Sequence, residues 1–305
     1  MTSPFGPLVA IVNPRAGRGR VRDELPELER QLQSAGLAYR FAETRGPGDA
    51  TRLAREALDA GERFLVAVGG DGTVHEVVNG MIADDRVVAE DAVLGIVAAG
   101  SGCDFVRTFG LPGDVIRAAR HLAGDRTYPI DAGRVEVTSD GGRLVRYFAN
   151  IAQAGLGGAV AGRSERFRRL GRSRHFLAFW MSLARHKPFR VTVRADRKTY
   201  DHRANNVVVA NGQYNGGGMR ISPRSYPGDG LFDVQVSIGP RSEAFTLIPK
   251  FYRGEHIPGP TFKELRGKRI SVEADRPLPV EADSQVLGTT PAMFAVIPQA
   301  IRLKV

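Results

Sequence analysis

The sequence predicts two domains: an α/β domain built on a parallel sheet, followed by a second domain that is mainly an antiparallel β-sandwich. Apolar runs alternate with amphipathic segments up to about residue 130, and short runs of alternating polarity fill the rest. The 305 residues, of which 42% are hydrophobic, exceed the roughly 250 residues at which single cores stop growing. We therefore divide the chain into residues 1–130 and 131–305.

Apolar runs at 8–12, 64–68 and 94–97 predict buried strands of the first domain. Between them, apolar residues recur every three or four positions in 21–32 and 50–58, which is the spacing of amphipathic helices. This alternation is typical of a parallel sheet covered by helices.

A glycine-rich loop follows each of these three strands. The loops are Asn13-Pro14-Arg15-Ala16-Gly17, Gly69-Gly70-Asp71-Gly72-Thr73 and Gly100-Ser101-Gly102-Cys103-Asp104. Loops that follow parallel strands collect at one edge of the sheet, where such folds bind ligands. Glycines let the backbone turn sharply and come close to a ligand. The three loops together predict one nucleotide site.

The loop that begins at Gly69 carries the most chemical information. Thr73 is predicted to cap the helix that starts there, with the helix N–H groups facing an anion. Asp71 would repel a phosphate unless a cation lay between them, so it indicates a metal or a water network. Taken alone, such a loop is equally typical of a tight strand-to-helix turn. The spacing matches neither the P-loop nor the dinucleotide-binding motif.

Eight runs of alternating polarity, separated by turn signals, predict the antiparallel strands of the second domain. They are 134–138, 144–149, 190–194, 206–210, 232–237, 269–272, 294–297 and 301–305. Exposed edge strands of such a domain can pair with a second copy of the chain, so a homodimer is one expectation.

Much of the net charge of +10 lies in the segment 163–190, where Arg and Lys far outnumber a single acid, Glu165. The same segment contains the apolar run 176–183. Basic and aromatic side chains together predict a helix that lies on an anionic membrane surface and contacts its lipid headgroups. Alternatively, the Trp180 face packs into the domain while the arginines stay in water. No nucleic-acid recognition motif accompanies the charge, so we expect no nucleic-acid partner.

A single cysteine and the absence of an N-terminal apolar segment favour a cytoplasmic protein. The apolar run 176–183 is far shorter than the about 20 residues that span a bilayer. We therefore expect peripheral association with a membrane.

The order of the motifs resembles the diacylglycerol kinase catalytic family, which includes bacterial lipid kinases, sphingosine kinases and ceramide kinases, with NAD kinases as distant relatives. The resemblance starts with Asn13-Pro14-x-x-Gly17, the GGDGT loop and Gly100-Ser101-Gly102. It continues through Asp131-x-Gly133, Asn150, Asn211-Gly212 and the run 227–234, so it covers nearly the whole chain.

The resemblance implies a nucleotide-binding domain at 1–130, a lipid-substrate domain at 131–305 and an active site in the cleft between them. It implies transfer of the γ-phosphoryl group of ATP to a lipid hydroxyl, with Mg²⁺ as the metal. Diacylglycerol is the default acceptor, and a sphingoid base or another lipid is an alternative. Two further alternatives are an NAD kinase and a catalytically inactive nucleotide- or lipid-binding protein.

The family pattern also implies individual site residues. Those placed at the nucleotide are Asn13, Pro14, Arg15, Ala16, Gly17, Thr44, Gly69, Gly70, Asp71, Gly72, Thr73, Val74, His75 and Ser101. Asp71 and Asp131 would order Mg²⁺ or its waters. A second Mg²⁺ would be held in the second domain by Asp229 and the carbonyls of Tyr226 and Leu231. From the residues alone, 227–230 is simply a good turn before a strand.

One departure from the family pattern affects the chemistry. Relatives usually carry Asp-Gly-Glu near the C-terminus, where this chain has Asp283-Ser284-Gln285. The amide of Gln285 cannot accept a proton, so the role of the usual glutamate as base is lost here or passes to Asp283. We therefore treat Asp283, Gln285 and Asp71 as the candidate catalytic residues.

Overall fold

The computed structural model describes residues 3–99, 103–167 and 173–305. The chain forms two compact units: unit 1 contains Met1–Asp131 and Pro298–Val305, and unit 2 contains Ala132–Ile297. Unit 1 ends its first stretch at Asp131, one residue after the predicted boundary at residue 130. The last eight residues were predicted to lie in the second domain, but they belong to unit 1 because they add a strand to its sheet.

Unit 1 alternates strands and helices, as predicted. Its elements are β1 (Leu8–Val12), α1 (Arg20–Ser34), β2 (Tyr39–Glu43), α2 (Asp49–Asp59), β3 (Phe64–Gly69), α3 (Asp71–Met81), β4 (Ile82–Ala83), β5 (Arg86–Val87), β6 (Val93–Ala98), α4 (Asp104–Thr108), α5 (Val115–Leu122) and the start of β7 (Thr127–Ser139).

The sheet of unit 1 is parallel in the order β2-β1-β3-β6, and residues 302–303 extend it in parallel beside β6. Strands β1, β3 and β6 are buried along their whole length. A parallel sheet with helices on both faces favours such continuous apolar runs. The structure therefore confirms the predicted fold class of this unit.

The part of unit 2 that the structure describes is mainly β-structure and contains three α-helices. After the end of β7 it contains β8 (Gly142–Phe148), β9 (Ile151–Gly155), α6 (Leu156–Arg166), α7 (Ser173–Arg185), β10 (Phe189–Ala195), β11 (Lys198–Ala204), β12 (Asn206–Ala210), β13 (Phe232–Ser237), α8 (Ala244–Arg253), β14 (Phe262–Gly267), β15 (Arg269–Ala274), β16 (Pro279–Ala282) and β17 (Gln285–Lys304), the last of which ends in unit 1.

Two antiparallel strand series share β17. One runs β14-β13-β12-β9-β16-β17, and the other runs β11-β10-β15-β17. Their inward faces form one core that includes Phe148, Phe189, Phe232 and Phe294. The predicted antiparallel domain is confirmed, although the last two predicted strands, 294–297 and 301–305, are parts of the single strand β17.

Candidate functional site

Four parallel strands of unit 1 end at the same edge of the sheet, at Val12, Glu43, Gly69 and Ala98. The two glycine loops that the structure describes there are residues 13–17 and 69–73. A hydrogen bond of 3.3 Å from Asn13 Nδ2 to Thr73 Oγ1 joins these glycine loops. Residues 100–102 of the third predicted loop, including Ser101, lie outside the described residues.

Two glycines allow the loops to pack closely. A Cβ on Gly17 would lie 2.5 Å from the carbonyl oxygen of Ala99, and the φ of Gly17 is +60°. A Cβ on Gly69 would lie 2.3 Å from Thr73 Oγ1. A side chain at Gly17 would push its loop away from Ala99, and one at Gly69 would displace Thr73 within the same loop, so the geometry favours glycine at both.

Helix α3 begins at Asp71, one residue after Gly70, which caps it without a side-chain hydrogen bond. The prediction that Thr73 caps this helix was therefore wrong. Thr73 lies in the first turn, where its hydroxyl accepts the hydrogen bond from Asn13. The first N–H groups of a helix have no acceptor within the helix, so this end of α3 can bind an anion.

The other residues predicted to contact the nucleotide differ in what they can offer a ligand. Val74 and His75 are buried, so their side chains pack inside unit 1. Pro14 is buried as well, and Arg15 is exposed, with its N–H donating to Asn13 Oδ1. Thr44 is half-buried directly after β2, and its N–H donates to the carbonyl of Val12.

The carboxylate of Asp71 bridges two loops. Its oxygens accept hydrogen bonds from the N–H groups of Asp104 (3.1 Å) and Phe105 (3.0 Å), at the start of α4. Asp71 is only half-buried at the loop edge. Mg²⁺ beside a polyphosphate uses one or two carboxylates and keeps several waters, so a single carboxylate here fits that role.

Asp131 is less suitable as a metal ligand. It is 1% exposed, and its Oδ1 accepts a hydrogen bond of 2.8 Å from the N–H of Gln299. Across the described ranges, no group of three or more His, Cys, Asp or Glu side chains could hold a metal ion. Of the two carboxylates predicted to order Mg²⁺, Asp71 is the one that fits.

The predicted second Mg²⁺ position in unit 2 contains an arginine. The two carboxylate oxygens of Asp229 bond the N–H of Leu231 and the guanidinium of Arg266, which also pairs with Asp233 at 3.0 Å. The carbonyl of Tyr226 accepts the N–H of Gly228. Because Arg266 already neutralises both carboxylates, this geometry does not fit the predicted metal site of Tyr226, Asp229 and Leu231.

Asp283 lies in the tight turn between β16 and β17, with φ of +48°, and Ser284 follows with φ of +69°. The Asp283 carboxylate accepts hydrogen bonds from the backbone N–H groups of residues 149, 150 and 151, at 3.0, 3.0 and 3.2 Å. Both oxygens are thus used to hold a neighbouring loop. These bonds use three of the about four lone-pair positions of a carboxylate, so the role of Asp283 as proton acceptor stays a prediction. Gln285 is half-buried at the start of β17.

Glu281, two residues before Asp283, was not predicted as a site residue. It is 1% exposed and accepts hydrogen bonds from Gln153 Nε2 (2.8 Å) and the N–H of Ser284 (2.7 Å). Burial, with a smaller contribution from the charge of Asp283, raises the pKa of Glu281 to about 8. The signal in the sequence was an acid inside a short strand whose neighbours are apolar.

The described parts of the basic segment contain the end of α6 and all of α7, whereas residues 168–172 lie outside the described residues. Ala178 and Leu183 of α7 are buried, whereas Phe176 is 66% exposed. Trp180 contacts Phe245 of α8, with ring centroids 4.5 Å apart, and Phe245 is itself 68% exposed. The helix therefore packs on one face and presents aromatic side chains on another. Within the described residues, no helix is long and apolar enough to cross a bilayer.

Two protein-family models match the chain in succession. Residues 7–135 match the diacylglycerol kinase catalytic domain. Residues 150–305, which are just over half of the chain, match the YegS C-terminal NAD kinase beta sandwich-like domain.

Curated relatives and a solved structure cover nearly the full length. A diacylglycerol kinase of Bacillus subtilis (strain 168) is 28% identical over 93% of this chain and 91% of its own. A diacylglycerol kinase of Mycobacterium tuberculosis (strain H37Rv) is 27% identical, with shares of 98% and 95%. The crystal structure of a diacylglycerol kinase from Bacillus anthracis covers 99% of this chain and 97% of that chain, with a TM-score of 0.73 and 23% identity. At that identity, the structural match establishes the fold alone.

Proposed function

Because this chain belongs to the diacylglycerol kinase catalytic-domain family, whose relatives include lipid kinases, we propose that it transfers the γ-phosphoryl group of ATP to the hydroxyl of a membrane lipid. The proposed acceptor is diacylglycerol, and the product is then phosphatidic acid. The reaction would take place at the cytoplasmic surface of a membrane.

The glycine loops of unit 1 are the observation that carries this proposal. Phosphoryl transfer asks a protein mainly to position the phosphates and to neutralise their charge. The first turn of α3 would offer its backbone N–H groups to the phosphates. Gly17 and Gly69 would keep side chains out of the loops beside it. Asp71 would hold Mg²⁺ or its waters, and the metal would offset charge on the transferred phosphoryl group.

The β16–β17 turn would serve the acceptor hydroxyl. Asp283 would position the backbone at 149–151 through its three hydrogen bonds. Gln285 can orient a hydroxyl by hydrogen bonding but cannot remove its proton. We therefore expect slower phosphoryl transfer than an enzyme with an acid at this position would give.

The surface of α7 and α8 would bring the enzyme to its lipid. We define the aromatic surface as Phe176, Trp180 and Phe245. Phe176 and Phe245 are largely exposed. Phe176 and Trp180 lie within the basic segment 163–190. Apolar side chains flanked by arginines suit an anionic membrane, where each basic residue contributes about 1 kcal/mol.

The test is a phosphoryl-transfer assay with labelled ATP, Mg²⁺ and diacylglycerol in anionic mixed micelles. We expect labelled phosphatidic acid with the wild type, a loss of at least about a hundredfold with Asp71→Ala, and no change with Asp59→Ala. Asp59 is an exposed carboxylate at the end of α2 and serves as the matched control. Circular dichroism of each variant separates lost chemistry from lost folding.

Other acceptors decide between the alternatives. Sphingosine and total lipid extract test other lipid kinases, and NAD tests an NAD kinase. Label on NAD but on no lipid would contradict the proposal. Bound ATP with no transfer to any acceptor would instead identify a binding protein.

A further inference from the structure

A basic pocket of about 250 Å³ lies in unit 2 at the C-terminal end of α7. Its lining includes Arg163 of α6, Ser182 and Arg185 of α7, Lys187 just after α7, and Arg276 from the loop between β15 and β16. The pocket uses neither the glycine loops nor the β16–β17 turn, so the proposed reaction leaves it without a role.

Two of the guanidinium groups are held in place. Arg163 donates a hydrogen bond of 2.8 Å to Ser182 Oγ. Arg276 donates to the carbonyls of Lys187 and Pro188, and its guanidinium lies 5.8 Å from the centroid of the Phe189 ring. Fixing these groups in the unliganded protein lowers the entropy lost on binding a ligand.

The positive charge at the pocket is largely uncompensated. Asp275 pairs with Arg276 at 3.7 Å and also accepts the N–H of Arg190. In the part of the chain that the structure describes, neither Arg185 nor Lys187 has a carboxylate partner. Four cations around one small cavity repel one another, and an anion in the cavity would relieve that repulsion.

We propose that this pocket binds a phosphate group, supplied by the headgroup of an anionic phospholipid or by free inorganic phosphate. Guanidinium groups bind phosphate oxygens in paired hydrogen bonds, and a lysine adds a compact point charge. Helix α7 carries both Arg185 and part of the aromatic surface, which favours a lipid headgroup as the source. The inference rests on the proposed function only for that choice of source.

The test uses the full chain with its nucleotide loops saturated by a non-hydrolysable ATP analogue. Dihexanoyl phosphatidylglycerol, kept below its micelle concentration, and inorganic phosphate are titrated separately by calorimetry at 0.15 M salt. At this ionic strength distant charges are screened beyond about 8 Å, so that local contacts dominate.

The variant pair Arg185→Gln/Lys187→Gln removes two exposed charges from the pocket. The matched pair Arg197→Gln/Lys198→Gln removes the same charge from the exposed β10–β11 turn of the same unit. We expect the pocket pair to weaken binding by at least about tenfold, and the matched pair to leave it unchanged. Equal weakening by both pairs, or by neither, would overturn the inference.

The two probes separate the sources of phosphate. Tighter binding of the phospholipid assigns the pocket to a lipid headgroup, whereas equal or tighter binding of inorganic phosphate assigns it to the free ion. Binding of neither probe by the wild type would overturn the inference. Because the measured quantity is binding, a protein that binds but transfers no phosphate supports the pocket and contradicts only the proposed kinase.

Discussion

The carboxylates of Asp71 and Asp283 each accept backbone hydrogen bonds from a neighbouring loop. Hydrogen bonds to a charged group contribute about 1.5–3 kcal/mol each, so both residues fix loop positions strongly. The sequence predicted these two residues as chemically important, but it did not predict these bonds, because the N–H donors are far away along the chain. A substitution at either site therefore changes geometry and charge together.

Gln285→Glu tests whether the amide limits the reaction. We expect turnover to rise by at least about tenfold, since a positioned general base typically contributes 10²–10⁴-fold. The measurement is the initial rate of lipid phosphorylation beside Gln33→Glu, which adds the same charge at an exposed position of α1. An unchanged rate would show that Gln285 does not limit proton transfer.

Glu281→Gln tests the buried carboxyl. The pKa of an unfolded glutamate is 4.5, and that of folded Glu281 is about 8. The contribution of this group to the free energy of unfolding is therefore largest below pH 4.5 and is lost as the pH rises to 8. The loss is at most about 1.4 kcal/mol per pH unit. We expect Glu281→Gln to remove this decline in urea midpoints measured from pH 5 to 9.

Glu90→Gln is the control for that series, because Glu90 is exposed and its substitution leaves Glu281 in place. Wild type and Glu90→Gln should therefore lose stability in parallel as the pH rises. If the urea midpoint of Glu281→Gln falls with pH as steeply as that of the wild type, the buried carboxyl does not hold its proton in the folded state.

At the scale of elements, the tight packing of Gly69 against Thr73 makes a specific prediction. Gly69→Ala places a Cβ 2.3 Å from Thr73 Oγ1, so the Thr73 side chain must move and its hydrogen bond from Asn13 is disturbed. We expect ATP affinity to fall by at least about tenfold, which corresponds to about 1.4 kcal/mol. Gly113→Ala, where nothing lies within 4 Å of the new Cβ, should bind ATP normally. Equal affinity of both variants would contradict this account of the loop.

The exposed aromatic rings of helices α7 and α8 are expected to bind a membrane surface. Phe176→Ser/Phe245→Ser removes two exposed rings, each of which gains about 1.5–3 kcal/mol on full burial. We expect sedimentation with phosphatidylglycerol vesicles to weaken by at least about tenfold. The pair Ile116→Ser/Met293→Ser, exposed side chains elsewhere, should bind as the wild type does. Equal weakening by both pairs would show that exposed apolar area alone governs vesicle binding.

The elements with strong periodicity were predictable from the sequence, and others were not. The pattern of α1, α2 and the buried strands β1, β3 and β6 follows directly from apolar spacing. Strand β11 is largely polar because it is exposed at an edge, and β16 has only four residues. Helix α8 has apolar residues at helical spacing, but it is short, contains Pro249 and has no buried residue, so the sequence analysis did not identify it. Arg266 beside Asp229 depends on pairing between β13 and β14, which local sequence does not encode.

At the scale of the whole molecule, unit 1 depends on residues from both ends of the described chain. Leu303 is fully buried and pairs with Leu94 of β6. Leu303→Ala should destabilise unit 1 by about 2–5 kcal/mol, the usual cost of a large-to-small core change. We expect faster amide hydrogen exchange in β6 and β3, whereas Arg302→Ala should leave exchange there unchanged. Protection of β6 that survives Leu303→Ala would contradict this role.

The late strand of unit 1 also has a consequence for synthesis in the cell. Residues 298–305 leave the ribosome after all of unit 2, whereas the other strands of the unit 1 sheet emerge first. Until then β6 is an edge strand with unpaired N–H and C=O groups, the kind of edge that pairs with other chains. Unit 2 is one continuous stretch of chain and can close before that time. The unit that is translated first is thus the last to be completed, and its sheet keeps an unpaired edge while all 166 residues of unit 2 are synthesised.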